Sequence, residues 1–463
     1  MHLYLSVKTF ARPPEPVPRE NHVRGETDMK RSLVTAAVAS VLMLSVVAGC
    51  SGTKSTTDPG TTNPGPSAPA KQEITLFNLK VEIDQALKNL AADFEKEKGI
   101  KVTVKSCGGG CDYGAQLKAE MQSGKEPDLF VLEGPGNLDV WKQKVADLSS
   151  EPWVKEVSPD LLGLKLDGKI VGFPVAIEGF GLIYNKAILD KAGVNPDTIK
   201  TYADLEAAFK TIDGKKKELG LDAVLSYSMK EAWISGNHTF NTYLAARDNA
   251  DKFTDDLLAG KVDVKNDPIA KDYAKLVKLL LDNSDKAKLD AIDYNAQVAA
   301  FGTGKTAFLQ QGNWAYGNLK DLKATFDMGI VPLALNSSKY AASIAVGVPS
   351  YYAINKDSKA TDAAREFLNY IAMTDRGHKY MIEEAFMVPA FKNVKLQPTD
   401  PLAKSIMKYN AEGRTLTWQF TKFTGKNWGM QQVAPITAQF GKDGNVDKFL
   451  DALDKAAKEY AKQ

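Results

Sequence analysis

Three stretches decide the fold: EITLFNL (residues 73–79), IKVTVK (100–105) and PDLFVL (127–132). The first alternates apolar and polar side chains, the period of a strand with one buried face. Between the first and second, apolar residues recur at Leu87, Leu90, Ala91 and Phe94, which marks one face of a helix over residues 83–98. Gly99 then stands where a helix C-cap favours glycine. Residues 113–122 read as a second helix, broken by Gly124, before the third strand. Strand, helix, strand, helix, strand predicts an α/β body with a largely parallel sheet. Ligands of such sheets sit beyond the C-terminal ends of the strands. Those ends are 78–80, 107–113 and 133–137, which nominates Asn78, Asp112, Tyr113, Glu133 and Asn137.

Upstream of this body, Lys30 and Arg31 precede an apolar run from Leu33 to Val47 that closes on Val47-Ala48-Gly49-Cys50. Basic residues, a short apolar core and small residues at the end form a secretion signal. The run is shorter than the roughly 20 apolar residues of a membrane-spanning helix. Its small-small-Cys ending resembles the bacterial lipobox, which implies lipidation of Cys50 and cleavage before it. Residues 1–49 are therefore expected to be leader and lipoprotein signal peptide, with Met29 the start of translation. Residues 50–72, rich in Ser, Thr, Pro and Gly, have no hydrophobic side chain large enough to seed a core and read as a tether.

The whole chain of 463 residues carries a net charge of +2. The first 49 residues hold six basic and four acidic side chains, so everything from Cys50 onward is neutral. Phosphate binding needs a concentrated basic surface, and Lys215, Lys216 and Lys217 make only a short solvated run, so nucleic acid is not an expected partner.

The string Gly172-Phe173-Pro174, then Glu178 and Gly181-Leu182-Ile183-Tyr184-Asn185-Lys186, is similar to the lobe crossover of the maltose-binding-protein-like solute-binding proteins, extracellular solute-binding family 1. Ser123-Gly124 with Pro127-Asp128-Leu129-Phe130, the segment 301–308, Gly312-Asn313-Trp314-Ala315 and Asn427-Trp428-Gly429 resemble other family motifs, in the family's order. The resemblance covers residues 73–463. It implies a two-lobed periplasmic-binding-protein-like α/β fold of type II, with a ligand cleft between the lobes. Lobe one would comprise 73–178 with 351–400, and lobe two 179–350 with 401–463. The crossings would lie near 175–181, 347–350 and 399–401, which adds Glu178 and Gly347 to the candidates. It also implies an extracellular, lipid-anchored monomer that captures an oligosaccharide for an ABC importer, whose permease subunits and cytoplasmic ATPase are its partners. No cofactor and no catalytic residue is expected.

Other motifs read blandly. Gly302-Thr303-Gly304-Lys305-Thr306 lacks the first glycine of a phosphate loop, because Ala299 stands there, and it follows a helix rather than a strand. Cys107 and Cys111 flank three glycines. Outside the cell two such thiols oxidise, and the loop can bend enough for a disulfide. No histidine cluster supports a metal there. Asp443 to Asp447 fits a calcium loop poorly and a helix N-cap well. Tyr351-Tyr352 fits a strand better than an iron site.

The tryptophans are the strongest pointer to a ligand. A sugar ring offers a flat face of C–H groups and a rim of hydroxyls, which aromatic and polar side chains match respectively. About half of Trp141, Trp153, Trp233, Trp314, Trp418 and Trp428 are expected in the core. Trp314 and Trp428, on family-like motifs, are expected to stack on sugar. Trp233 and Asn237 are placed at the cleft rim. The alternatives are another small solute, a polyamine or metal ion, or a glycoside hydrolase using Glu133 and Glu178 as its carboxylate pair.

Overall fold

The computed structural model describes residues Gln72–Gln463; the leader, Cys50 and most of the tether lie outside the described residues. The first three stretches form strands Glu73–Asn78, Lys101–Ser106 and Leu129–Leu132. The first lies between the other two and is parallel to both, with Leu76 opposite Val104 and Leu129. Helix Asp84–Lys98 buries Leu87, Leu90, Ala91 and Phe94 and ends on Gly99 at φ 71°. Its Phe94 packs against Phe367 and Tyr370 of helix Thr361–Met373. Helix Tyr113–Gln122 is capped by Asp112, and Cys107 and Cys111 form a disulfide with Cα atoms 5.5 Å apart.

The sheet is mixed rather than largely parallel. Strand Tyr351–Ile354 pairs antiparallel with both Leu129–Leu132 and Phe173–Pro174. The reason is connectivity: the first three strands end at the hinge, whereas the strand returning from the other lobe begins there, with Tyr351 opposite Leu132.

The second sheet is built around strand Glu178–Asn185. Thr306–Gly312 flanks one side, while Ile344–Gly347 and Met328–Val331 pair along its other edge, all antiparallel to it. Ala223–Ser226 and Thr415–Leu416 add parallel outer strands. Helix Tyr294–Gly302 and the turn at Gly304, φ 74°, lead into Thr306–Gly312 as expected for a turn rather than a phosphate loop. Asn445 caps the last helix, Val446–Tyr460, accepting from the Lys448 amide at 3.0 Å.

Each sheet has its own hydrophobic core. One gathers residues between 74 and 176 and between 351 and 394, around the fully buried Trp153 and Phe173. The others draw on residues from Phe180 onward, including Val388 and the stretch from Leu402 to Ala457. The crossing segments bond to one another: the Val175 amide donates to Ser350 O and the Ile177 amide to Val388 O. Such a short backbone-paired strap can flex as a unit between two rigid bodies.

The lobes also meet away from the hinge. The Thr424 hydroxyl donates to Glu133 O at 2.7 Å. Helix Gly134–Trp141 of one lobe lies against residues 421–425 of the other so closely that a Cβ on Gly425 would sit 2.0 Å from Gly136 O. Main chain cannot yield to such a clash, so a methyl there must part the lobes. Gly425→Ala is therefore expected to raise the radius of gyration measured by small-angle scattering, with little change in unfolding temperature because neither core is touched. An unchanged scattering profile would show that this approach does not hold the lobes together.

Candidate functional site

A cavity of about 940 Å³ opens between the lobes, lined by strand ends, the hinge and the second lobe. Its floor is charged. Lys80, two residues past the first strand, reaches Glu82 at 2.6 Å and Glu178 of the hinge strand at 2.5 Å. Lys80 and Glu178 are only 9% and 5% exposed. Burial works against the Lys80 charge, but the two carboxylates outweigh it and hold the ammonium protonated. Glu133, at the end of the third strand, has no partner for its carboxyl among the described residues; its own amide donates to Asn137. Burial, partly offset by Lys80 and reinforced by Glu178, pushes its pKa up to about 7.

The opposite wall is aromatic. Trp233, Trp314, Trp418 and Phe420 surround His238, with ring centroids 5.0 to 5.5 Å from its own. Two of the indoles are anchored by their N–H groups. Trp233 Nε1 donates to Glu231 and Trp314 Nε1 to Gln311, which in turn donates to Gln297. Glu231 also accepts from the Tyr294 amide. Fixed rings lose little freedom when something stacks on them. Trp141 and the loop Gly108–Cys111 complete the lining from the first lobe.

Of the residues nominated from sequence, Asp112, Tyr113, Glu133, Asn137, Glu178, Trp233, Asn237 and Trp314 line this cavity. The Tyr113 hydroxyl is taken by main chain, accepting from the Val131 amide and donating to Phe77 O. Three others are not brought there. Asn78 is fully buried, donating to Lys80 O and Ser106 and accepting from the Lys80 amide, so it shapes the turn that presents Lys80. Gly347 pairs with Glu178 inside the sheet and lies against Trp418; a Cβ there would meet the indole at 3.0 Å. Trp428, 3% exposed, is packed among Phe240, Phe423 and Tyr460 in the core. The expected stacking role of Trp428 is thus corrected by its burial, and Trp418 stands in the wall instead. Lys80, His238, Trp418 and Phe420 were missed. Lys80 lies in the flagged strand end and His238 in the polar stretch after Trp233, so position marked both regions without singling out the side chain. Among the described residues no group of three or more His, Cys, Asp or Glu side chains is arranged to hold a metal ion.

Two α/β lobes joined by a paired hinge, with a cleft that offers a charged floor and a stacked aromatic wall, define a solute-binding protein. The chain matches the model of the bacterial extracellular solute-binding proteins over residues 89–408 and belongs to that family. It is 26% identical over 368 residues to the melibiose/raffinose/stachyose-binding protein MelE of Bacillus subtilis, covering 76% of this chain and 80% of that one. It is likewise 26% identical to a maltooligosaccharide ABC transporter solute-binding lipoprotein of Streptococcus pneumoniae, covering 77% and 80%. Among solved structures, RafE in complex with raffinose superposes with a TM-score of 0.71 at 21% identity, covering 84% of this chain and 99% of that one.

The raised Glu133 pKa has a signed consequence for stability. The folded protein keeps this proton up to about pH 7, whereas the unfolded chain releases it near the ordinary glutamate value of 4.5. Below 4.5 both states are protonated and nothing is lost; between 4.5 and 7 stability falls as pH rises. Glu133→Gln, which mimics the protonated form, should therefore gain on the wild type through that window and level off above it, by on the order of 1–3 kcal/mol. Denaturant unfolding at pH 4.5, 6 and 8 checks this; a pH-independent difference would refute it.

Proposed function

We propose that this protein captures an oligosaccharide outside the cell by closing its lobes, and delivers it to the membrane permease of an ABC importer. The observation that carries this reading is the wall of Trp233, Trp314, Trp418 and Phe420 facing Lys80, Glu133 and Glu178 across one cavity. The wall suits the C–H face of sugar rings, and the floor suits their hydroxyls, which can donate to carboxylates and accept from the ammonium. The names of MelE and of the pneumococcal maltooligosaccharide-binding lipoprotein point to the same ligand class. Glu133 and Glu178, the pair nominated for hydrolysis, serve in this reading to hold hydroxyls.

The polyamine alternative fares worse on a specific count of partners. Glu82 and Glu178 are taken by Lys80, and Glu231 by Trp233 and Tyr294. Of the carboxylates that line the cavity, these leave Glu133 and the helix-capping Asp112 to meet a cation. A thermal-shift screen of the purified protein against oligosaccharides and polyamines separates the two, since ligand at ~100 times its Kd adds ~2.7 kcal/mol of stability. With the sugar so found, Trp314→Ala should lose roughly 1–3 kcal/mol of affinity by calorimetry, from C–H surface left in water. Trp314→Leu should rescue little, because stacking needs a flat partner. Unchanged affinity in a folded variant would remove Trp314 from the site.

We also infer that Cys50 carries the lipid and that the protein works as a monomer on the outer face of the cytoplasmic membrane. The basic, apolar and Ala48-Gly49-Cys50 segments followed by a tether support the anchor. Cys50→Ala should move the protein from the membrane fraction to the medium; retention on membranes would overturn it.

A further inference from the structure

Among the described residues, the His238 ring in the aromatic wall has no protein partner at either nitrogen, and the Trp418 indole N–H beside it is likewise unpartnered but sealed from the cavity. It stacks on Phe180 at 4.3 Å with an interplanar angle of 6°, and Trp233, Trp314, Trp418 and Phe420 close around it. It is 7% exposed. A phenyl ring would fit such a nest without desolvation cost, whereas an imidazole must leave its polar atoms unsatisfied or find a partner. Among the described residues it has none: no hydrogen bond reaches either nitrogen, and Nδ1 is sealed within the wall. The ring lines the cavity, and Nε2 is the nitrogen left with access to it.

That asymmetry selects a tautomer. A proton on the sealed Nδ1 would be an orphaned donor, while a bare Nδ1 lone pair is the smaller loss, so the proton belongs on Nε2. Burial, reinforced by the nearby Lys80 charge, depresses the pKa to about 3, so the ring is neutral. The backbone fixes its aim. Ile234–Thr239 is a π-helical turn within a longer helix, a geometry that occurs mostly as single-turn bulges and is frequent at functional sites. It is locked by Gly236, where a Cβ would fall 2.1 Å from Gly429 O of a second π-helical turn, Gly429–Val433.

We propose that His238 is a specificity-determining residue, whose Nε2–H donates a hydrogen bond to an oxygen of the sugar ring stacked against Trp233 and Trp314. The inference rests on the oligosaccharide reading and adds the polar contact within the aromatic wall that would tell one sugar, or one position of an oxygen, from another. Trp233 and Trp314 themselves offer only ring faces, because Glu231 and Gln311 hold their N–H groups, and faces discriminate poorly between sugars of the same shape.

The test uses the purified protein with raffinose, stachyose and maltotriose, taking the sugar of highest affinity by calorimetry. His238→Phe keeps the ring packing and removes the donor; it should keep its unfolding temperature within a few degrees and bind at least tenfold more weakly. His238→Gln, which restores a donor, should recover part of the loss. Nitrogen NMR of 15N-histidine protein supplies a reading that a packing role would not move. From Cys50 onward the chain holds only His238 and His378. The His238 Nε2 should resonate as a protonated nitrogen of a neutral ring and shift on sugar addition. If His238→Phe binds as tightly as the wild type, or if the proton sits on Nδ1 and the signal ignores sugar, the assignment is overturned while the oligosaccharide reading stands. If the wild type binds none of the three sugars, the oligosaccharide reading for these ligands fails, and the assignment falls with it. Should His238→Phe not fold, the NMR arm decides alone.

Discussion

Lys80 is buried between Glu82 and Glu178, and much of the site follows from that contact. It ties the end of the first strand of one lobe to the first residue of the central strand of the other. Taking three charges from water is costly, and well-packed apolar side chains of the same volume would often serve stability as well. Charge at this position therefore points to a use other than stability. In the proposed reading the cluster is already desolvated and oriented, so sugar hydroxyls replace water against groups that need not rearrange. Removing one member would leave the others as uncompensated buried charge.

The division of labour between the walls follows from how each lobe is built. The first lobe offers strand ends and turns, which present backbone-anchored polar groups: the Lys80 turn held by Asn78, Glu133 at a helix N-terminus, and the disulfide loop. The second offers two π-helical turns in close contact through Gly236 and Gly429, which spread Trp233, Asn237 and His238 along one face. Aromatic rings fixed by Glu231 and Gln311 make that wall rigid before any ligand arrives. Closure then needs only the hinge and the glycine-lined approach of Gly136 to Gly425.

The site was half legible in the chain for identifiable reasons. The strand-end rule points to residues 78–80 and nominates Asn78. The backbone turn instead takes every polar atom of that side chain and hands the cavity to Lys80. Position within a family-like motif pointed to Trp428, yet the last helix covers it with Tyr460. Trp418, ten residues earlier and on no such motif, faces the cavity because Gly347 leaves room for its indole.

By itself the sequence determined what is periodic and local: the alternating strands, the helix face ending on Gly99, the cap before the last helix at Asn445 and the cysteine pair across three glycines. These are written in neighbouring residues because their energetics are settled within a turn or a strand. Only the tertiary structure decided sheet polarity, the pairing of Lys80 with Glu178 and the gathering of five aromatic rings around His238. Each joins residues far apart in the chain, here 98 positions for Lys80 and Glu178 and about 180 for His238 and Phe420. Which side of a buried ring meets a cavity depends on what packs behind it, and no local pattern carries that.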